Sequence, residues 1–588
     1  MTRNEFNLLY AIKKHGLLSY RKLGPAADVS TGFISQTLKE FKDKGWIDDS
    51  GITSEGLRAL EPYKVANAVI MAAGMSTRFM PLSLEKPKGL LKVKNEILIE
   101  RQIEQLHEAE IKDITLVLGY KKEAFFYLED KYEGIKILIN PEFNTKNNTH
   151  TLYLAQDQIS NTYICSSDDY FAVNPFEDYV YQSYYSAIRV NEKTNEWYMI
   201  PDSKGNIAKV KKSGVEGTIM LGHVYWNREF SKGMIDILNK DHDIGNYDSV
   251  LWEDVLAEHI KDLPPMEIKV YPEDTIFEFD SLDELRKFDS EYVEHTHSKI
   301  MAVITSVLDC RESEILNFKA IKEGLTNTSF VFEVKGKKYV YRHPGDGTEA
   351  IISREHEKKA LELARDAGVD PTYISMDAKS GWKISHYIDG IRPPSYASFD
   401  DSRRVVAVLQ KLHSKNLSVD WSFLPWEEAE KIEKLLRSQK EGIADPSFDE
   451  LKDRVRRCYE KTVGDGVEKC FCHCDVYAPN LMLTDSETIL IDWEYAGNAD
   501  PGCDIGTYIM DSMWEVPDAE RFIKEYCGED CSPDLLFHYL TYTAVLSYYW
   551  YVWALYRESC GGIMGESLYN WHVMAKRYSQ YITETYNL

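Results

Sequence analysis

The chain has 588 residues, 44% of them hydrophobic and 28% charged, with 69 Lys and Arg against 95 Asp and Glu and a formal charge of −26. This length is too great for one core and implies three or four domains, fewer if one is large. The negative charge repels nucleic-acid phosphates and anionic lipid surfaces over most of the molecule, and ten cysteines in so long a chain form no disulfide framework.

The start, "MTRNEFNLLYAIKKHG", carries neither the apolar core nor the cleavage site of a secretory signal, so a cytoplasmic protein is expected. Residues 1–62 read as helix, helix, "DVSTGF", helix, and then a short strand pair in "GWIDDSGITSEGL". Ser30 or Thr31 is placed to cap the third helix, with Phe33, Ile34, Leu38 and Phe41 on its inner face and Ser35, Gln36 and Lys39 on its outer one. The order resembles a winged helix-turn-helix. That resemblance implies a helix able to enter a DNA groove. Basic and acidic residues nearly balance in the segment, so docking or effector sensing competes with DNA binding.

A second domain, 65–295, opens at "VANAVIMAAG", an apolar strand running into a small-residue loop. Strand patterns in "ITLVLG", "KILIN" and "TYICSS" alternate with helical ones such as "KKEAFFYLEDKY", which argues a largely parallel sheet with helices on both faces. The loop Ala72, Ala73, Gly74, Ser76, Thr77 lets backbone N–H groups approach a phosphate, with Arg78 and Lys88 adding positive charge. Such loops are common after strands, so the loop alone is weak evidence. The whole line "MAAGMSTRFMPLSLEKPKGLL", with Gly119-Tyr120 closing a later strand, resembles the nucleotidyltransferase signature, except that Ser76 stands where the family often has a second glycine.

Further on, "NNTHTLYLAQ", "SSDDYF", "NEWYM" and "TIFEFDSLDEL" resemble phosphocholine cytidylyltransferase over about residues 66–290. The resemblance implies that Ala72 to Thr77 and Arg78 hold the triphosphate of CTP, that Lys88 neutralises the reacting phosphates, and that Asp168 and Asp280 bind Mg²⁺. Asp169 competes with Asp168. Phosphocholine carries a quaternary ammonium that donates no hydrogen bond, so its site needs aromatic faces and carboxylates. Trp197 and Tyr185 are the foremost candidates; Tyr153, Tyr184, Trp226 and Trp252 are further ones, each equally compatible with core packing.

The third domain, 300–588, begins with paired strands in "LNFKAIKEGLTNTSFVFEVKGKKYVYRHPG" and becomes helical after Pro425. In "CFCHCDVYAPN", the cysteine spacing is poor for structural zinc, since no partner pair is evident, and alternating cysteines on a strand act as small apolar residues. Phosphoryl transfer asks instead for an Asp that accepts a hydroxyl proton, an Asn five residues on and a second metal-binding Asp on a following strand. Asp475, Asn480 and Asp492, the last in "TILIDWEYAG", meet all three requirements. The set resembles the choline/ethanolamine kinase and aminoglycoside phosphotransferase group over about residues 312–580. It implies Mg²⁺ on Asn480 and Asp492, loop orientation by His473, and Gly324, Thr326 and Asn327 over the ATP phosphates. It further implies Arg342 in the place of the usual lysine, paired with Glu357 or its competitor Glu355, and His386-Tyr387 at the adenine hinge. A Trp-x-x-Trp helix with Trp550 and Trp553, together with Glu494 and Tyr495, would wall a trimethylammonium site. The stretch "YTAVLSYYWYVWALY" that holds the tryptophans is too short and too rich in tyrosine for a bilayer crossing and reads as a buried helix.

The expected architecture is multidomain α/β and α+β: a small winged helix, a Rossmann-like nucleotidyltransferase sheet and a two-lobed protein-kinase-like fold. The expected function is a bifunctional enzyme of the CDP-choline route, with choline, phosphocholine, ATP and CTP as partners and Mg²⁺ at both sites. Alternatives are the same reactions on ethanolamine or another amino alcohol, a sugar-1-phosphate nucleotidyltransferase fused to a kinase, or a choline-responsive DNA-binding regulator.

Overall fold

A computed structural model of the chain describes residues 1–191, 193–242, 244–245, 247–321, 327–345, 352–439, 442–528 and 531–588. Its contacts divide into two compact units, Met1–Ser313 and Glu314–Leu588.

The first unit opens with helices Arg3–His15, Tyr20–Ala27 and Thr31–Asp43, an antiparallel pair of two-residue strands, Ile47–Asp48 and Gly51–Ile52, and a helix Ser54–Leu60. Ser30, not Thr31, caps the third helix by accepting from the Phe33 N–H. Ile34 and Phe41 are buried, Phe33 and Leu38 partly so, and Ser35, Gln36 and Lys39 are exposed. The segment shares its core with Tyr63, Tyr179 and Tyr181. Phe6 packs on Tyr63 and Tyr181, Tyr10 donates to Asp178 at 2.7 Å, and Arg3 grips Glu267 with two bonds of 2.9 and 2.7 Å.

The main sheet has nine strands. Ile135–Ile139, Ile114–Leu118, Asn67–Ala72 and Thr162–Ser166 run parallel in that order; the inner three are buried along nearly their whole length, as strands covered on both faces are, whereas Ile135–Ile139 is an edge strand that exposes Lys136 and Ile139. Beyond them Gly217–Trp226, Thr194–Pro201 and Ile207–Gly214 follow antiparallel, and Tyr184–Val190 pairs with Gly217–Trp226 and, in parallel, with Glu267–Val270. The expected largely parallel sheet therefore holds for one half only. A parallel neighbour needs a crossover of a dozen or more residues; Pro201 and Ile207 are too close in the chain for one, and Thr194–Pro201 and Ile207–Gly214 form a hairpin. The helix expected in "KKEAFFYLEDKY" is a short 3₁₀ turn, Lys122–Phe125, followed by Tyr127–Lys131.

In the second unit, five antiparallel strands are ordered Ile315–Ile321, Thr328–Val334, Lys337–His343, Lys383–His386 and Tyr373–Met376, with helix Arg354–Asp366 against them. The helical part starts with Phe399–His413, earlier than Pro425. It encloses two small ribbons, Cys470–Cys472 with Gly497–Ala499 and Leu481–Leu483 with Thr488–Leu490, which carry the functional loops. The stretch "YTAVLSYYWYVWALY" is a buried helix, as expected, and forms part of the longer helix Pro533–Ser559 of 27 residues. Its buried His538, Thr541, Thr543 and Ser547 make it polar, and no described helix is both long and apolar enough to cross a membrane. The cysteines other than Cys310 are free thiols.

Candidate active sites

In the first unit, strand Asn67–Ala72 delivers the loop Ala73 to Thr77 into a cavity of about 210 Å³, lined also by Lys88, Asn148, Thr151, Ser167 and Asp168. A Cβ placed on Gly74 would meet nothing within 4 Å, so the space over the loop is open. Ser76 adopts φ 49°, a left-handed conformation that glycine takes without strain, which explains why a glycine is the usual residue there. Beyond the loop stand only the 3₁₀ turn Thr77–Phe79 and the four-residue helix Leu82–Glu85, so backbone N–H groups and side-chain cations, not a helix dipole, supply the positive field.

Lys88 is buried, with Nζ 2.7 Å from Asp168 Oδ2. Burial opposes its charge, but Asp168 and Glu278 outweigh burial and raise its pKa. Arg78 Nη1 lies 2.8 Å from Asp280 Oδ2. Asp169 points into the protein, and burial, then Glu278 and Asp168, push its carboxyl well above the usual range. Asp168 is thus the member of the pair that faces the cavity. Glu278, which sequence reasoning missed, pairs in register with Asp169 across two short strands. Its side chain is exposed to solvent, so of the surrounding protein and the charge of Asp168, which together raise it to about 8, the neighbouring charge is the surer cause. The signal was present two residues before Asp280.

Among the aromatic candidates, Tyr184 packs against Tyr163 and His223 and Trp226 against Phe230, both as core. Tyr153 is covered by His242 at 3.8 Å. Tyr185 stacks on Trp252 (5.6 Å, 10°) and its hydroxyl lies 3.4 Å from Glu253, whose other oxygen takes a bond from Asn148. Burial raises Glu253 to about 7. Trp197 packs on the same apolar cluster and carries the Lys212 ammonium 4.5 Å above its ring.

In the second unit, the loop after strand Cys470–Cys472 turns at Cys474, with φ 66°, and presents Asp475. His473 fixes this turn: Nδ1 accepts from the Asp475 N–H (3.2 Å) and Nε2 lies 2.9 Å from the Ile491 carbonyl. Asp504, absent from the sequence reading, accepts from the N–H groups of both His473 and Cys474 and pairs with His413 at 2.8 Å. Asn480 donates to Asp475 Oδ2 at 3.0 Å. Burial and the charge of Asp492 push the Asp475 carboxyl well above the usual range, as suits a proton acceptor.

Asp492 also has a left-handed backbone, φ 69°. Burial opposes its ionisation, but Lys383 and Arg342 hold it below the usual range. Arg342 pairs with Glu357 at 2.5 Å and with Asp492 at 3.2 Å. Glu357 is fully buried, and Arg354 secures it from the other side at 2.8 Å. Asn327 accepts from the Gly345 N–H; Gly324 and Thr326 lie outside the described residues. The N–H groups of His386 and Tyr387 are engaged by the carbonyls of Thr372 and Lys338, so a base at this hinge must find other partners.

Trp550 meets Tyr495 (5.3 Å, 74°), Tyr549 (5.1 Å) and Trp553 (5.4 Å). Trp571, from the helix Glu566–Tyr586, closes on Trp550 at 5.7 Å. No local motif pointed to it. Glu494 lies between this aromatic group and the Arg342 cluster; burial and then Asp492 raise it to about 8. Both sites offer the oxygen donors a hard divalent cation takes, Asp168 and Asp280 in one and Asn480 and Asp492 in the other, and in each a carboxylate is held by a cation of the chain.

A model of the nucleotidyl transferase family matches residues 67–198, and one of the phosphotransferase enzyme family matches 317–541; neither reaches the first 66 residues. Choline-phosphate cytidylyltransferase of Streptococcus pneumoniae is 31% identical over 226 residues, 38% of this chain and 96% of its own. A 2-aminoethylphosphonate cytidylyltransferase of Lancefieldella rimae is 31% identical over 236 residues, 39% of this chain and 93% of its own. The crystal structure of choline kinase LicA from Streptococcus pneumoniae superposes with a TM-score of 0.43 at 25% identity, over 49% of this chain and 99% of that one.

Proposed function

We propose, from a chain that belongs to the cytidylyltransferase family through its first unit and carries a phosphotransferase domain in its second, that both units serve one route. The second unit phosphorylates choline with ATP, and the first transfers CMP from CTP to the phosphocholine so made, releasing pyrophosphate. The observation that carries this reading is the aromatic group Tyr495, Trp550, Trp553 and Trp571 beside Glu494 and the base-like Asp475. Aromatic faces and a carboxylate attract a quaternary ammonium without hydrogen bonds.

In the kinase reaction Asp475 accepts the choline hydroxyl proton while Asn480 and His473 hold its carboxylate and backbone in place. Arg342, anchored by Glu357, offers charge to the transferring phosphoryl group. In CMP transfer the loop Ala72 to Thr77 and Arg78 hold the triphosphate, and Lys88 offsets repulsion between the attacking phosphate and the α-phosphate. Tyr185 with Glu253, and Trp197, face the ammonium. Mg²⁺ held by Asn480 and Asp492, and by Asp168 and Asp280, would supply charge neutralisation at the phosphates.

Residues 1–62 are read as a winged helix-turn-helix whose use is docking or sensing, because Arg3 and Tyr10 tie it to Glu267 and Asp178 of the same unit. Cytoplasmic placement belongs to the same reading and is supported by free thiols such as those of Cys165, Cys458 and Cys503. The equal identity to a 2-aminoethylphosphonate cytidylyltransferase favours a second reading for the first unit alone, with a phosphonate acceptor. One incubation with ATP, CTP, Mg²⁺ and choline, read by mass spectrometry, tests the proposal. Asp475→Ala should stop both products and Asp168→Ala should let phosphocholine accumulate. A preference for 2-aminoethylphosphonate over phosphocholine in pyrophosphate release would establish the second reading.

A further inference from the structure

The segment Cys470 to Cys474 alternates cysteine with Phe471 and His473, and phosphoryl transfer uses only its histidine. Sequence spacing argued against a metal because no second ligand pair accompanies it. The fold supplies a third ligand from elsewhere. Cys470 and Cys472 occupy alternate positions of one strand, so both thiols leave the same face, and their Sγ atoms are 3.6 Å apart. His413, the last residue of helix Phe399–His413, lies against them, and one of its ring nitrogens and the two sulfurs all fall within 4.8 Å of one another.

A tetrahedral ion about 2.3 Å from two thiolates and about 2.0–2.1 Å from an imidazole sets sulfur about 3.7–3.8 Å from sulfur and about 3.6 Å from nitrogen. The thiol pair is within about 0.2 Å of that separation, and the ring needs to close by no more than about an ångström. Both ring nitrogens have partners, but of unequal kind. Nε2 is held at 2.8 Å by Asp504, a fully buried carboxylate that also accepts from the N–H groups of His473 and Cys474. Nδ1 faces the neutral hydroxyl of Tyr526 at 2.7 Å, which is the contact more readily exchanged. A metal-bound histidine usually gives its opposite N–H to a carboxylate, and Asp504 occupies that place. Cys470 is half-buried and offers an entry path, whereas Cys472 is buried.

We propose that Cys470, Cys472 and His413 Nδ1 form a binding site for a thiophilic divalent cation of the Zn²⁺ class, with Asp504 holding the opposite nitrogen of the histidine. Binding exchanges the two S–H protons, and the Nδ1 proton where the His413 ring is charged, for bonds to the metal, releasing two or three protons per ion, and frees the Tyr526 hydroxyl. Because Asp504 also fixes the backbone just before Asp475, the site is joined to the phosphotransfer loop through one carboxylate.

The test is a Co²⁺ titration of the full-length, metal-free protein, read by the thiolate-to-cobalt charge-transfer band, to which the carboxylate sites make no contribution. The band should saturate at one ion per chain and be discharged by Zn²⁺. Cys470→Ser and Cys472→Ser should each lose half or more of its intensity, and His413→Gln should weaken Zn²⁺ binding by about tenfold or more. Cys527→Ser, at the separate thiol pair Cys527 and Cys531, should leave the spectrum unchanged. Circular dichroism of each variant establishes that it is folded. Absence of the band in the folded natural chain, its survival in the folded Cys470→Ser, Cys472→Ser double variant, or its loss in Cys527→Ser alone would each overturn the assignment.

Discussion

Lys88 Nζ lies 2.7 Å from Asp168 Oδ2 on the wall of the loop cavity. The cation read as meeting phosphate is thus paired with the carboxylate read as holding a metal. Each neutralises the other, and arrival of a nucleotide with its cation would exchange both partners at once.

Replacing Lys88 by Met should therefore lower pyrophosphate release from CTP by about 10²-fold or more, while ADP formation with choline stays unchanged. Arg78→Met should have a smaller effect, because its side chain is 77% exposed and its charge is screened by water. An equal fall in both activities would mean that Lys88 acts through folding instead.

The Glu253 carboxyl is raised to about 7 by burial, and only its ionised form attracts a quaternary ammonium. The KM for phosphocholine should fall as pH rises through that value and level off above it. The substrate phosphate itself titrates near about pH 6, so the profile must be set against that of Glu253→Gln. In the variant only the ligand titrates. Profiles of identical shape in the two proteins would remove Glu253 from the site.

Each favourable cation–π face contributes about 0.5–2 kcal/mol, or about 2- to 30-fold in affinity. Trp550→Leu and Trp571→Leu should raise the KM for choline within that range. The KM for an uncharged isostere with carbon in place of nitrogen should move far less. Comparable changes for both alcohols, measured by coupled ADP assay, would assign the tryptophans to packing alone.

Glu278 and Glu494 stand at about 8 in the folded chain against an ordinary value near 4.5. The folded chain then binds more protons than the unfolded one between those values, so its stability falls as pH rises from about 5 to 8. Millimolar Mg²⁺ should raise the Tm at pH 8 and change it little at pH 5. Thermal melts with and without Mg²⁺ check the sign, and a metal effect that is the same at both pH values would contradict it.

What the sequence determined is what is local. Asp475, Asn480 and Asp492 fall within eighteen residues of one another, and the loop from Ala72 to Thr77 is one turn after one strand; covalent spacing alone brings such groups close enough to recognise. The three inner parallel strands were equally legible, since each is a largely apolar run. What only the tertiary structure decided are the meetings across long separations: Lys88 with Asp168, Tyr185 with Glu253, Trp571 with Trp550, and His413 and Asp504 with the strand of Cys470. Nothing in the spacing of those residues forecasts them, because packing of helices and sheet edges sets which distant side chains share a space, and burial there, not residue type, sets which carboxyls stay protonated.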